Sequence, residues 1–167
     1  MEAFIEKQNF LKRWWGVSLP IVVASLVPLI SIDKNTPVLV GIATPVIVTA
    51  FVFLLFRLLT LYTRIDEKCI AVRFAPFHRK DRVIEWHSLK SARVVKYDPL
   101  FEYGGWGFRK GWTGSKIAYN VSGKTGLELE LNDGRKIMIG TAKKEELLSY
   151  LSYLKNKYAI TAIGEKE

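Results

Sequence analysis

The first residues that could do chemistry lie in AYNVSGKTGLELEL, residues 118–131. Ala118, four residues and then Gly123-Lys124-Thr125 fit the permissive phosphate-loop pattern, in which backbone amides and a lysine hold phosphates and a hydroxyl reaches magnesium. That chemistry needs a helix after the lysine, because the helix N-terminus holds the anion. Here Gly126 is followed by Leu-Glu-Leu-Glu-Leu, whose period of two marks a strand. The context disfavours nucleotide binding, and Ser122–Gly126 reads as a hairpin turn. Other reactive types are sparse. His78 and His87 stand nine residues apart and fit no common zinc pattern, and Cys69 is the single cysteine. No acid, base and nucleophile set can be assembled, so no catalytic residue, metal or cofactor is expected and the chain reads as non-enzymatic.

The most unusual stretch is EYGGWGFRKGWTGSK, residues 102–116. Two readings stay open. In the structural one, the glycines let a strand bend or bulge and the aromatic rings cover the bared backbone. In the functional one, Trp106, Arg109, Lys110, Trp112 and Lys116 form a basic aromatic surface for an anionic headgroup or a membrane face.

The elements that must position these residues follow from the apolar period. From Tyr62 onward, YTRIDEKCIAVRF, DRVIEW, SARVVKY, WGFRKGW, KIAYNV, GLELEL and RKIMIG read as about seven or eight short strands with turns between them. In LELELNDGRKIMIG, a three-residue Asn132-Asp133-Gly134 loop sets Leu129 opposite Ile137, Leu127 opposite Ile139 and Glu130 opposite Lys136. A final helix is predicted with Thr141 as its N-cap, Glu145 and Glu146 in its first turn, and Leu147, Leu151, Leu154 and Tyr158 as its apolar stripe.

The first third of the chain differs from the rest. Residues 1–61 hold five Lys/Arg against three Asp/Glu, a net +2, while residues 62–167 hold twenty against thirteen, a net +7. Residues 14–32 and 37–56 are free of charge. Each run is long enough to cross a bilayer of about 30 Å as a helix. Trp14, Trp15 and Tyr62 suit an interfacial aromatic belt, and Lys7, Lys12, Arg13, Arg57, Arg64 and Lys68 flank the pair. The expectation is a two-span hairpin, multi-pass in the plasma (inner) membrane, with both termini cytoplasmic. The predicted organisation is an N-terminal segment 1–13, a transmembrane hairpin 14–61, a β domain 62–158 and a tail 159–167.

FEYGGWGFRKG (101–111), KIAYNVSGKTGLELEL (116–131) and DGRKIMIGTAKKEELLSYL (133–151) resemble bacterial membrane-anchored proteins with a pleckstrin-homology-like (PH-like) domain. The resemblance implies a mainly-β, PH-like barrel of about seven antiparallel strands closed by a C-terminal helix. It also implies a domain that binds peptides, lipids or protein partners. The expected function is a membrane-anchored interaction or scaffold protein that presents its basic domain at the membrane face. The alternative is an accessory subunit of a transport or secretion complex. The expected partners are the lipid bilayer, anionic lipid headgroups, a protein, or further copies of the chain as a homo-oligomer. Nucleic acid is disfavoured, because the basic residues are interspersed with acids.

Overall fold

The computed structural model describes residues 2–26, 38–111 and 115–164. The chain divides into two compact units, Asn9–Leu59 and the combination of Met1–Gln8 with Thr60–Glu167.

The helical unit contains α1 (Phe10–Leu26) and α2 (Val38–Leu58). Asn9 starts it: its side-chain oxygen accepts from the Leu11 amide at 2.9 Å, a local cap for the first turn of α1. Its side-chain amide donates to Arg57 O at 2.9 Å, and Phe10 N–H donates to Leu59 O at 3.0 Å. The two ends of the unit are thereby tied together.

This unit corrects the membrane reading. Among the described residues no helix is long and apolar enough to cross a membrane. An uncharged run is not the same thing as a helix. Of the run at 14–32, residues 14–26 belong to α1, which begins at Phe10 and takes in Lys12 and Arg13, and residues 27–32 lie outside the described residues. Its uncharged part, Trp14–Leu26, covers about 20 Å at 1.5 Å per residue. Residues 27–37, including the expected connecting loop, lie outside the described residues, as do the side chains of Trp14 and Trp15. The second expected run falls in α2, whose described side chains begin at Ile42. The transmembrane hairpin, the plasma-membrane localisation and the inferred topology of the termini are therefore withdrawn.

The β unit holds two sheets. Sheet A has the order β1-β2-β3-β4, from Phe4–Asn9, Thr60–Ile65, Cys69–Ala75 and Arg82–Glu85. Sheet B has the order β5-β8-β9-β7-β6. Its strands are β5 (Leu89–Lys96), β6 (Gly107–Lys110), β7 (Lys116–Asn120), β8 (Thr125–Leu131) and β9 (Lys136–Gly140). A short helix, α3 (Pro99–Tyr103), follows β5, and α4 (Lys144–Tyr158) follows β9.

The expected closed barrel of about seven antiparallel strands is not found. There are two sheets, and β7 pairs with β9 in parallel. The reason lies at Ser122–Thr125. This turn does not make a hairpin, since β7 and β8 both flank β9 and the chain passes over the end of β9 between them. Gly140 sits under that passage: a Cβ there would lie 2.9 Å from Asn120 Cβ.

The β8–β9 hairpin has the predicted register, with Leu129 opposite Ile137, Leu127 opposite Ile139 and Glu130 opposite Lys136. Gly134 takes φ 83°, a conformation that side chains with a Cβ resist. Leu61, Ile65, Ile70 and Phe74 of sheet A, and Tyr119, Leu129 and Ile137 of sheet B, are fully buried, as is Leu154 of α4. Each removes about 1.5–3 kcal/mol worth of apolar surface from water. Tyr158, the last residue of the predicted stripe, is instead exposed.

Residues 1–13, read from sequence as a separate segment, supply strand β1. Its inward positions include the polar Glu6 and Gln8, both buried. Glu6 accepts from the Thr141 hydroxyl at 2.6 Å and the Ala142 amide at 2.8 Å, and Gln8 donates to Gly140 O at 2.8 Å. The first strand is thus fastened to the turn before α4. Thr141 is not the N-cap, a place held by Lys143; its hydroxyl accepts from the Lys143 amide.

Two predictions follow from these anchors. Glu6→Ala leaves the Thr141 hydroxyl and Ala142 amide unmatched and should cost about 1.5–3 kcal/mol, read by urea denaturation. Asp66 is a pH probe. Burial pushes its carboxyl up, but the Cys69 and Lys68 amides, the Cys69 thiol and the Arg64 charge together hold it below the ordinary 3.8. A lowered folded value stabilises above the unfolded value and is lost as pH falls through the folded one. The stability advantage of the wild type over Asp66→Asn should therefore be full above pH 3.8 and shrink below it.

Candidate functional site: a basic aromatic rim

The glycine-rich segment resolves into two parts with different work. Asp98 caps α3, accepting from the Leu100 and Phe101 amides at 2.9 and 3.1 Å. Gly104 ends the helix with φ 72°, and Gly105 and Gly107 follow at 117° and 116°. These glycines are backbone necessities. They bring Tyr103 against Tyr97 at 5.8 Å between ring centres, over a small cluster with Ala118 and Met138. Burial, and then the nearby Glu102 charge, push the Tyr103 phenol up to about 12, so it stays neutral. Trp106 belongs to this part: its indole N–H donates to Gly123 O at 3.4 Å.

The second part is β6 itself. It pairs with β7 so that Phe108 faces Tyr119, Arg109 faces Ala118 and Lys110 faces Ile117. Alternation puts Lys110 on the face of Phe108, and Arg109 and Lys116 on the opposite face. The three cations straddle the free edge of sheet B. Trp106 stands at the other end of the strand, about 10 Å away at some 3.3 Å per residue. Trp112 lies outside the described residues.

What joins this edge was not singled out in the sequence. The β3–β4 loop, Pro76–Asp81, folds against β6. The His78 amide donates back to Phe74 O at 2.9 Å, which turns the chain. Phe77 then stacks on Phe74 at 6.0 Å and tilts against Phe108 at 6.4 Å. His78 meets Phe108 edge-on at 4.7 Å and Tyr119 at 5.6 Å. Arg82 reaches the Tyr119 hydroxyl at 3.3 Å. Phe77 is nevertheless 63% exposed. Arg79, Lys80, Arg109, Lys110 and Lys116 are exposed, and among the described residues none has an acidic partner. By contrast Lys90, Arg93, Lys124 and Arg135 each pair with a carboxylate. The signal was present in PFHRKD, residues 76–81, where an aromatic precedes three basic-type residues in a turn.

Of the five sequence-derived site residues, then, Lys110 joins the new loop, Arg109 and Lys116 lie across the edge, Trp106 is packed elsewhere, and Trp112 is not described. The register Thr60↔Ala75 puts this loop at the Thr60 end of β2.

Other candidate chemistry is not assembled. Among the described residues no group of three His, Cys, Asp or Glu could hold a metal ion. His87 is exposed beside Glu85 at 3.2 Å. Burial and the neighbouring Asp66 push the Cys69 thiol up, away from the thiolate that a nucleophile needs. Gly123-Lys124-Thr125 is a turn entering β8, with Lys124 O accepting from Tyr97 N–H and Lys124 Nζ 3.8 Å from Asp98. No family model matches the chain, and no curated protein matches it.

The glycine assignment can be checked directly. Gly107→Ala forces a Cβ into φ 116° and should destabilise the β unit by about 1–3 kcal/mol in chemical denaturation.

Proposed function

We propose that the chain is a non-enzymatic interaction module that works at a lipid surface, bound through the apolar surface of its helical unit. The observation that carries this reading is the exposure of apolar side chains around α2. Ile42, Val46, Ile47, Phe51, Phe53 and Leu54 are each more than half exposed. Together with exposed Val48, Leu55 and Leu58 they leave little beyond the strip of Pro45, Thr49, Val52 and Phe56 covered, and a helix apolar over most of its circumference belongs in apolar surroundings. With Leu19 and Val23 of α1, eleven large apolar side chains among the described residues of this unit are exposed. Moving them out of water is worth on the order of 15 kcal/mol.

The basic aromatic rim supplies the second contact. Arg79, Lys80 and Lys110 with exposed Phe77 form the combination that meets anionic headgroups: cations contribute about 1 kcal/mol each near such a surface, and the ring enters the interface. The excess of seven positive charges in residues 62–167 acts in the same direction.

Flotation of the full-length protein with vesicles tests both contacts. The chain should rise with neutral phosphatidylcholine vesicles and remain bound through a high-salt wash; recovery at the bottom of the gradient would overturn the reading. Adding an anionic lipid should slow hydrogen exchange in residues 76–81. That protection should vanish at high salt and in an Arg79→Glu, Lys80→Glu, Lys110→Glu variant. Exchange indifferent to anionic lipid would remove the rim from the account and leave the helical contact standing.

A further inference from the structure

The short helix α3 holds two apolar side chains in water, and its backbone is fixed from both ends while it does so. Leu100 is 57% exposed and Phe101 92%. Scattered exposed apolar residues need no explanation, but this pair is adjacent and rigidly placed. At the start of the turn Asp98 accepts from the Leu100 and Phe101 amides, and Pro99 presets the first helical φ. The Glu102 carboxylate accepts from the Asp98 amide at 2.6 Å. At the other end the Gly104 amide donates to Leu100 O at 2.9 Å and the Gly105 amide to Pro99 O at 2.7 Å. Pro99 is buried and the Tyr103 ring meets Tyr97, so these two residues anchor the turn. Leu100 and Phe101 are left projecting from it.

The turn lies at the same end of sheet B as the basic aromatic rim. It follows β5 where Lys96 stands opposite Thr125, next to the Gly126↔Gly140 pair. The rim packs on Phe108 and Tyr119, level with Ile139, one residue short of Gly140. Strands β5 and β6 are the opposite edges of the sheet, so the two features stand four strand spacings, or about 19 Å, apart. Both have cations beside them. Near α3, exposed Lys96 has no acidic partner among the described residues, and Lys124 lies 3.8 Å from Asp98. The Arg109 guanidinium reaches back over Gly105, where a Cβ would lie 3.4 Å from its Nη2. The acids of the turn are Asp98 and Glu102, and both carboxylates are engaged by its own amides. With Arg79 and Lys80 of the rim, five cations stand against these two acids.

We propose that α3 is a lipid-inserting prong: Leu100 and Phe101 enter the interfacial layer of an anionic bilayer, while Lys96, Lys124 and Arg109 meet its headgroups. This rests on the lipid reading above and adds a third contact to it. A single contact leaves the β unit free to pivot on the surface; a second one a sheet's width away fixes its tilt. Two observations select a bilayer as the occupant. Leu100–Phe101 and Phe77 both project from one end of the unit, and a flat fluid surface closes around two separated prongs without a matching pocket for either. The excess of cations around them complements anionic headgroups, and apolar side chains beside cations are what an interfacial segment carries.

The test places an environment-sensitive fluorophore at Leu100→Cys in full-length protein with Cys69→Ala, leaving Phe101 in place. The same label at His87→Cys is the control, since Glu85 pairs with Cys69 at the opposite end of β3 from Ala75. Vesicles of equal parts phosphatidylcholine and phosphatidylglycerol should shift the emission at position 100 to the blue. A nitroxide on the lipid acyl chain should quench that label severalfold more than the one at position 87. Phe101→Ser should abolish the difference and Phe101→Trp should keep it. A label at position 100 that stays in water while the protein floats with the vesicles would strike the prong and leave the helical contact standing. Protein that does not float would overturn both. Quenching unchanged in phosphatidylcholine alone, or a blue shift that needs no vesicles and grows with protein concentration, would also overturn the proposal, the latter by assigning α3 to a second copy of the chain.

Discussion

The constraint on which the rest of the structure depends is that β1 and β2 are neighbours in sheet A although the whole helical unit separates them in the chain. Strand pairing therefore fixes both ends of the insert. The Phe10–Leu59 hydrogen bond and the two-way use of the Asn9 side chain close it at its base. Closing a loop of this length costs entropy that grows only with the logarithm of its length, so a long insert is tolerated where its ends are pinned. The same pairing obliges the first eight residues to belong to the β unit. Those residues bring Glu6 and Gln8 into the interior, where each polar group has to find a partner.

The β portion was largely legible because its signals are local. Alternation located β2 to β5 and β7 to β9 within a residue or two, and the β8–β9 register followed from setting apolar against apolar and Glu130 against Lys136. Strand β1 was not legible. FIEKQN alternates, but its inward positions include glutamate and glutamine, so its period looks weak until Thr141, Ala142 and Gly140 are known to face it. The parallel pairing of β7 with β9 was hidden for a related reason. Period gives a strand but not its neighbour, and Ser122–Thr125 is as short as a hairpin turn although it bridges over another strand. The helical unit shows the limit in the opposite sense. Hydropathy identified its apolar character and set the start of α2 within a residue, but placed the start of α1 four residues late.

The candidate site was half legible. The composition of residues 102–116 drew notice for good reason, yet three of its glycines serve backbone geometry, with φ between 72° and 117°, and Trp106 serves packing. The rim that remains depends on a contact between distant segments: Phe77 against Phe108, thirty-one positions apart. No spacing rule reports such a contact. A search for unpaired cations beside an exposed ring could have found PFHRKD, but only by weighting a turn as heavily as a glycine-rich strand.

The bond between Glu6 and Ala142 joins residues 136 positions apart. A ribosome adds about 5–20 residues per second, so the N-terminal strand emerges on the order of ten seconds before its anchor is made. During that interval β1 is an unfinished edge, and the apolar helical segment leaves the ribosome directly behind it. The anchor of β1 is complete only once Thr141 and Ala142 have been synthesised. The helical segment can find its surroundings well before then, which makes the order of synthesis part of how this molecule assembles.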